Sequence, residues 1–202
     1  MRENEWDAYL GIHTTGDQLG FNNSFHYHRY EATPYNALEQ LFDRYSLKSS
    51  DRLVDFGCGK GRLNFMVYHL FKAFVIGIEM NELFYDQAME NKKHYVSEHR
   101  SSLEKIEFEC CYAQEYKITP TDNRFYFFNP FSIQIFMKVI NHILRSVEEH
   151  PREVELILYY GSEDYIFFLE NQTSFELKEE IRLENLYEHN PYEKFSIYRL
   201  VY

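Results

Sequence analysis

Two periods alternate along the chain. Short apolar runs at 52–56, 73–79, 105–110, 124–128 and 153–160 read as strands. Between them, apolar residues recur every three or four positions, as on one face of a helix. Tyr35, Leu38, Leu41, Phe42 and Tyr45 predict a helix over about 34–46, with Thr33 as N-cap and Pro34 in its first turn. Leu63, Phe65, Met66, Val67, Leu70 and Phe71 predict a second helix, covered on most sides. Asn81 caps a third, polar-faced helix reaching to about residue 98. Ile133, Phe136, Met137, Ile140, Ile143, Leu144 and Val147 mark a long amphipathic helix, and 165–169 a short one whose aromatic residues face the core.

Two late runs, 175–183 and 195–202, have no helix-length segment between them and read as an antiparallel pair at a sheet edge. The alternation of strand and helix implies an α/β fold with a parallel sheet covered on both faces. Ligands of such sheets bind beyond the carboxyl ends of the strands.

Residues 1–31 break the pattern. They are polar, rich in aromatic residues and histidine, and hold three of the eight glycines: Gly11, Gly16 and Gly20. They are expected to form a lid or flap, with a short helix near 6–10, over a main domain spanning 32–202. Within them, Tyr27, His28 and Tyr30 are candidate general bases. The pair His26 and His28 lacks a third ligand at metal spacing, so no metal is expected.

Composition narrows the function classes. A length of 202 residues suits one main domain with a core that needs no disulfides. The net charge of -11 argues against a nucleic-acid partner, which calls for clustered Lys and Arg. It suits solubility first and a cationic or amine substrate second. Cys58, Cys110 and Cys111 match neither a zinc site nor a disulfide framework, which points to a reducing, cytoplasmic setting. No stretch approaches the length of a membrane span.

The chemistry concentrates after the first strand, in Asp55-Phe56-Gly57-Cys58-Gly59-Lys60-Gly61. Glycines at alternate positions let the backbone approach a ligand and turn into a helix, whose first N–H groups face an anionic group. Glu79 lies 22 residues after Gly57, at the end of the next strand, where an acid can accept both ribose hydroxyls. Cys58 reads as a packing residue, and Lys60 as a solvated side chain or a contact to a cofactor carboxylate. A nicotinamide fingerprint would place its third glycine one position later, where Arg62 stands.

The run from Asp55 to Gly61 resembles motif I of the class I S-adenosylmethionine-dependent methyltransferases. The resemblance covers about 30–202. It implies a Rossmann-like three-layer sandwich with a mostly parallel seven-stranded sheet and an antiparallel edge pair, and S-adenosyl-L-methionine as cofactor. It further implies that Asp55 and the loop (Gly57, Cys58, Gly59, Gly61) hold the methionine part, that Glu79 holds the ribose, and that Ala113 and Gln114 lie beside the adenine. Thr33 and Tyr35 belong to an aromatic segment that closes over the cofactor in similar small enzymes.

Asn129-Pro130-Phe131 resembles the motif IV of methyltransferases that modify amino groups, with one proline where two are usual. It makes Asn129, Pro130 and Phe131 the catalytic candidates, with Asn129 also beside the cofactor. Independently of that likeness, Asn129 can cap the following helix and Phe131 can be core. The expected function is methyl transfer to an amine-type acceptor on a small molecule or a protein. The alternatives are a cofactor-binding regulatory protein without turnover and a nicotinamide-dependent oxidoreductase.

Overall fold

Each apolar run becomes a strand with bounds within a residue or two of those expected. The computed structural model describes residues 3–15, 31–99 and 103–201. Strands β1 (Arg52–Phe56), β2 (Phe74–Glu79), β3 (Ile106–Cys110), β4 (Arg124–Phe128), β5 (Glu155–Tyr159), β6 (Phe175–Arg182) and β7 (Lys194–Leu200) form one sheet of order β3-β2-β1-β4-β5-β7-β6. Strands β1 to β5 pair in parallel, and β7 runs antiparallel to both β5 and β6. The strand order reverses between β1 and β4, so the loops leaving these two strands part and open a crevice.

Helices α1 (Glu3–Leu10), α2 (Tyr35–Arg44), α3 (Arg62–Phe71), α4 (Glu82–His99), α5 (Ile133–Glu149) and α6 (Glu163–Gln172) complete the three layers. The period of two along each strand sorts side chains between two cores. Leu53, Tyr126, Ile157 and Tyr159 join residues of α1 to α4. Val54, Phe56, Phe125, Phe127, Leu156 and Leu158 join α5 and α6. Tyr165, Phe168 and Leu169 belong to that second core, as expected of the short aromatic run. Among the described residues, no helix is long and apolar enough to cross a membrane.

The start of α2 departs from expectation. Pro34, not Thr33, occupies the cap position, with φ -57° and ψ 139°, and no side chain of the cap residue accepts a helix N–H. The Tyr35 N–H donates instead to Glu3 Oε1 at 2.6 Å. Thr33 lies one residue too early to cap, and its hydroxyl pairs with the Tyr126 hydroxyl at 2.8 Å. An element distant in sequence supplies the cap.

Residues 3–15 pack onto the body through a buried carboxylate. Asp7 accepts the Thr14 N–H, the Thr14 hydroxyl and the Tyr35 hydroxyl, each at 2.7 Å. Trp6 stacks on Tyr35 with ring centroids 5.6 Å apart. Arg62, at the head of α3, donates to Thr14 Oγ1 at 2.7 Å and to the Thr33 carbonyl at 3.1 Å, and it pairs with Glu3. The segment is thus fastened to the residue that follows the glycine loop. The remainder of the expected lid, 16–30, lies outside the described residues, as do Tyr27, His28 and Tyr30.

Gly77, in the middle of β2, leaves room for the loop side of the crevice. A Cβ there would fall 2.6 Å from both Cys58 Sγ and the Phe108 ring. Gly77→Ala is expected to cost roughly 1–3 kcal/mol through overpacking. The urea midpoint of unfolding checks this, with an unchanged slope showing that the native state is otherwise intact.

Candidate active site

Strand β1 ends at Phe56, and the backbone then turns back over β2. The N–H groups of Gly57 and Cys58 both donate to the Ile78 carbonyl, at 2.8 and 3.1 Å. Gly57 adopts φ +80°, and a Cβ there would lie 2.8 Å from the Pro130 side chain, so both backbone and space require glycine. Gly61, at φ +85°, is the N-cap of α3.

The loop's position is fixed by one carboxylate. Glu79, at the end of β2, accepts the Gly59 N–H at 2.9 Å through Oε2 and the Asn81 N–H at 2.8 Å through Oε1. Lone pairs not taken by these N–H groups can still accept hydroxyl donors. Asn81 in turn caps α4 by accepting the N–H groups of Leu83 and Phe84, as the sequence suggested.

Asp55 is the second carboxylate, 4% exposed and paired in register with Tyr126 of β4. Its side chain lines the crevice, and no donor among the described residues meets it. Burial, then the charge of Glu79, pushes its pKa well above the usual carboxylate range. Burial likewise raises Glu79, with the N–H donors of Asn81 and Gly59 pulling it down. The Cys58 thiol is pushed well up by burial and by both carboxylates, so it stays protonated and is no nucleophile.

The crevice is also lined by Thr33, Tyr126, Phe84, Ala113, Pro130 and Phe131. Phe131 is buried, and its carbonyl accepts the Tyr165 hydroxyl. Of the residues expected here, Asp55, Gly57, Cys58, Glu79, Ala113, Thr33, Pro130 and Phe131 line one cavity. Gly59 and Gly61 shape the loop behind it. Asn129 faces an adjoining cleft.

Tyr35 and Gln114 do not line the cavity. Tyr35 is buried between Trp6 and the Arg62 guanidinium, which lies 4.4 Å from its ring centroid. Gln114 faces a separate cleft with Tyr116 and His142. Lys60 donates to the Thr15 carbonyl at 2.9 Å.

The sequence reading passed over Arg62 and Tyr126. Tyr126 had a signal: in the run Phe125-Tyr126-Phe127, alternation turns it to the face that carries Asp55. Arg62 had none, since its partners come from the N-terminal segment. Among the described residues, no group of three or more His, Cys, Asp or Glu is placed to hold a metal.

A buried carboxylate without a donor is costly in the empty site and favourable opposite a cation. Asp55 binds a proton more tightly in the folded state than when unfolded. Its ionisation therefore weakens the ligand-free fold as pH rises from about 3.9 through the raised folded value. Asp55→Asn should accordingly raise the melting temperature of the ligand-free protein at pH 7 and weaken binding of S-adenosylhomocysteine by about tenfold or more. Thermal melts with and without that ligand check both.

Residues 32–126 match a family profile described as a methyltransferase domain. A comparison of the sequence with curated proteins gives no match. Among solved structures, a putative RNA methyltransferase from Pyrococcus horikoshii superposes with a TM-score of 0.59 at 19% identity, over 99% of this chain and 100% of that one. An RNA methyltransferase from Salinibacter ruber, crystallised with S-adenosyl-L-homocysteine, gives 0.51 at 18%, over 84% and 92%. Phosphoethanolamine N-methyltransferase 1 from Haemonchus contortus, in complex with phosphoethanolamine and S-adenosylhomocysteine, gives 0.62 at 11%, over 83% and 42%. Over 32–126 the chain is thus similar in sequence to a methyltransferase-domain family, and it shares its fold with methyltransferases crystallised with S-adenosylhomocysteine.

Proposed function

We propose that the domain transfers a methyl group to an amine-type acceptor, on a small molecule or on a protein side chain. The observation that carries this reading is the position of Asn129-Pro130-Phe131. Pro130 and Phe131 line the cofactor cavity while Asn129 opens onto the cleft beside it. Asn129 holds a left-handed backbone, φ 38°, uncommon outside glycine and tolerated best by asparagine and aspartate. The strand end is thereby bent at the point where cofactor and acceptor would meet.

Asp55 pairs with the ammonium of the methionine part, and Glu79 accepts the ribose hydroxyls with its remaining lone pairs. The backbone at Gly57 and Cys58 gives close approach, and Ala113 and Phe84 flank the adenine end. Bound, the cofactor supplies an electrophilic sulfonium methyl. The protein's part is alignment and exclusion of water. Asn129 and the Pro130 carbonyl accept N–H bonds of the acceptor and aim its lone pair. Phe131 forms an apolar wall. Deeply buried Tyr126 and Cys58 keep their protons, and neither serves as a base.

The charge of -11 supports an acceptor other than a polyanion. Solved neighbours do not choose, since they include both an RNA methyltransferase and a phosphoethanolamine N-methyltransferase.

Labelled S-adenosylmethionine, offered to a size-fractionated cell lysate, should transfer its methyl to the small-molecule or protein fraction. Glu79→Ala should weaken binding of S-adenosylhomocysteine by about tenfold or more, through loss of its charge-assisted hydrogen bonds, and abolish the melting shift that the ligand produces. Label in nucleic acid would overturn the acceptor class. Tight cofactor binding with no label in any fraction would overturn turnover itself.

A further inference from the structure

Beside the cofactor cavity, and sharing Glu31 and Phe128 with it, lies a cleft of about 280 Å³ walled also by Asn129, Tyr159, Tyr160 and Glu193. Its position follows from the sheet. Phe128 and Tyr159 are register partners at the ends of β4 and β5. Each is followed by a residue with left-handed backbone, Asn129 at φ 38° and Tyr160 at φ 55°. That conformation is costly for a tyrosine and persists only where surroundings impose it. Here the Tyr160 ring stacks on Tyr192 with centroids 5.4 Å apart, and its hydroxyl accepts from Asn190 Nδ2 at 2.6 Å.

The result is a concave aromatic surface. The centroids of Phe128 and Tyr159 are 4.6 Å apart with planes inclined at 49°, those of Phe128 and Tyr160 6.3 Å at 61°, and those of Tyr159 and Tyr160 6.1 Å at 72°. The rings form a cup instead of a flat stack. Two carboxylates stand at its rim. Glu193 accepts the Tyr159 hydroxyl at 2.6 Å, which leaves its remaining lone pairs for a second donor. Burial raises the Tyr159 pKa, and the hydrogen bond and charge of Glu193 followed by the charge of Glu31 raise it further, so both acids act on this cup.

No Lys or Arg lines the cleft among the described residues. Lys194, next in sequence to Glu193, points to Glu180 at 2.6 Å. Aromatic faces with uncompensated carboxylates attract an organic cation and repel an anion. A neutral apolar ligand would gain the rings and nothing from the acids.

We propose that this cleft is the acceptor subsite of the methyltransferase and that it takes an organic ammonium group, carried by a free amine or by a lysine-type side chain. The inference rests on the methyl-transfer reading and adds the acceptor's charge to it. An ammonium that is to be methylated first gives a proton to water. Its freed lone pair then forms the N–C bond as the methyl C–S bond breaks. The C–S electron pair stays on sulfur, so the positive charge passes from sulfur to nitrogen. The methylated product remains a cation, held by the rings and acids that received the substrate.

The test is binding to the whole chain, with and without S-adenosylhomocysteine. Tetramethylammonium is compared with neutral tert-butanol, and n-butylammonium with n-pentanol, by saturation-transfer NMR and calorimetry. The ammonium probes should bind about tenfold more tightly than their neutral counterparts, and Glu193→Gln and Tyr160→Leu should each weaken them by about fivefold or more. Retained binding of S-adenosylhomocysteine shows that each variant is folded. Neutral probes binding as well as ammonium, or both variants leaving the ammonium affinity unchanged, would overturn the proposal while leaving the methyltransferase reading in place. Failure of the unaltered protein to bind S-adenosylhomocysteine would instead overturn the reading beneath it. Label from S-adenosylmethionine in the free-amine fraction or in lysine-containing protein distinguishes the two sources of ammonium, and either supports the proposal.

Discussion

Two buried carboxylates, side by side at the ends of adjoining parallel strands, set the terms for the rest of the molecule. Burial raises the cost of both charges. Glu79 offsets its cost by accepting two backbone N–H groups, and in doing so it locks the glycine loop against β2. Asp55 has no such partner among the described residues. The fold therefore holds one acid as a structural clamp with capacity to spare and the other as an unmet charge facing the crevice. A site of this kind lowers the stability of the empty protein and recovers it when a cation arrives.

The sheet order makes the arrangement possible. Because β4 lies beside β1, the segment after Phe128 returns over the glycine loop, and Gly57 is in contact range of Pro130. The same crossing places Tyr126 next to Asp55 in register. Farther along, β5 ends beside β4, and the two left-handed residues that follow open the aromatic cleft. The proposed cofactor cavity and the proposed acceptor cleft adjoin each other at the strand ends and share Glu31 and Phe128 in their walls. The N-terminal segment connects to this edge through Arg62, which ties Thr14 and the Thr33 carbonyl to the start of α3.

The elements of the sheet were legible in sequence because their cause is local. Strands buried on both faces show as continuous apolar runs, and the acid ending β2 sits at a distance fixed by the helix between the strands. Gly57 and Glu79 were singled out by spacing, and Asp55 by the resemblance of its run to motif I. What was not legible depends on contacts between distant segments. The cap of α2 comes from Glu3, 32 residues away, so Thr33 was free to turn to Tyr126. Gln114 was placed by analogy of position, and a short turn of 3₁₀ helix at Ala113–Glu115 carries its side chain to a different cleft. Tyr159 and Glu193 lie 34 residues apart and meet only because β7 returns beside β5. No local pattern marks such a pair.

The central claim is that Asp55, its pKa raised by burial and by the charge of Glu79, is the group that receives the ammonium of the proposed cofactor. Proton release on binding reports this directly. Calorimetric titration of S-adenosylhomocysteine at mildly acidic pH, in buffers of different ionisation enthalpy, yields the number of protons exchanged. The account predicts net release into solution as Asp55 ionises against the incoming cation, and loss of that release in Asp55→Asn. Binding with no proton released, or with the same release in Asp55→Asn, would contradict it.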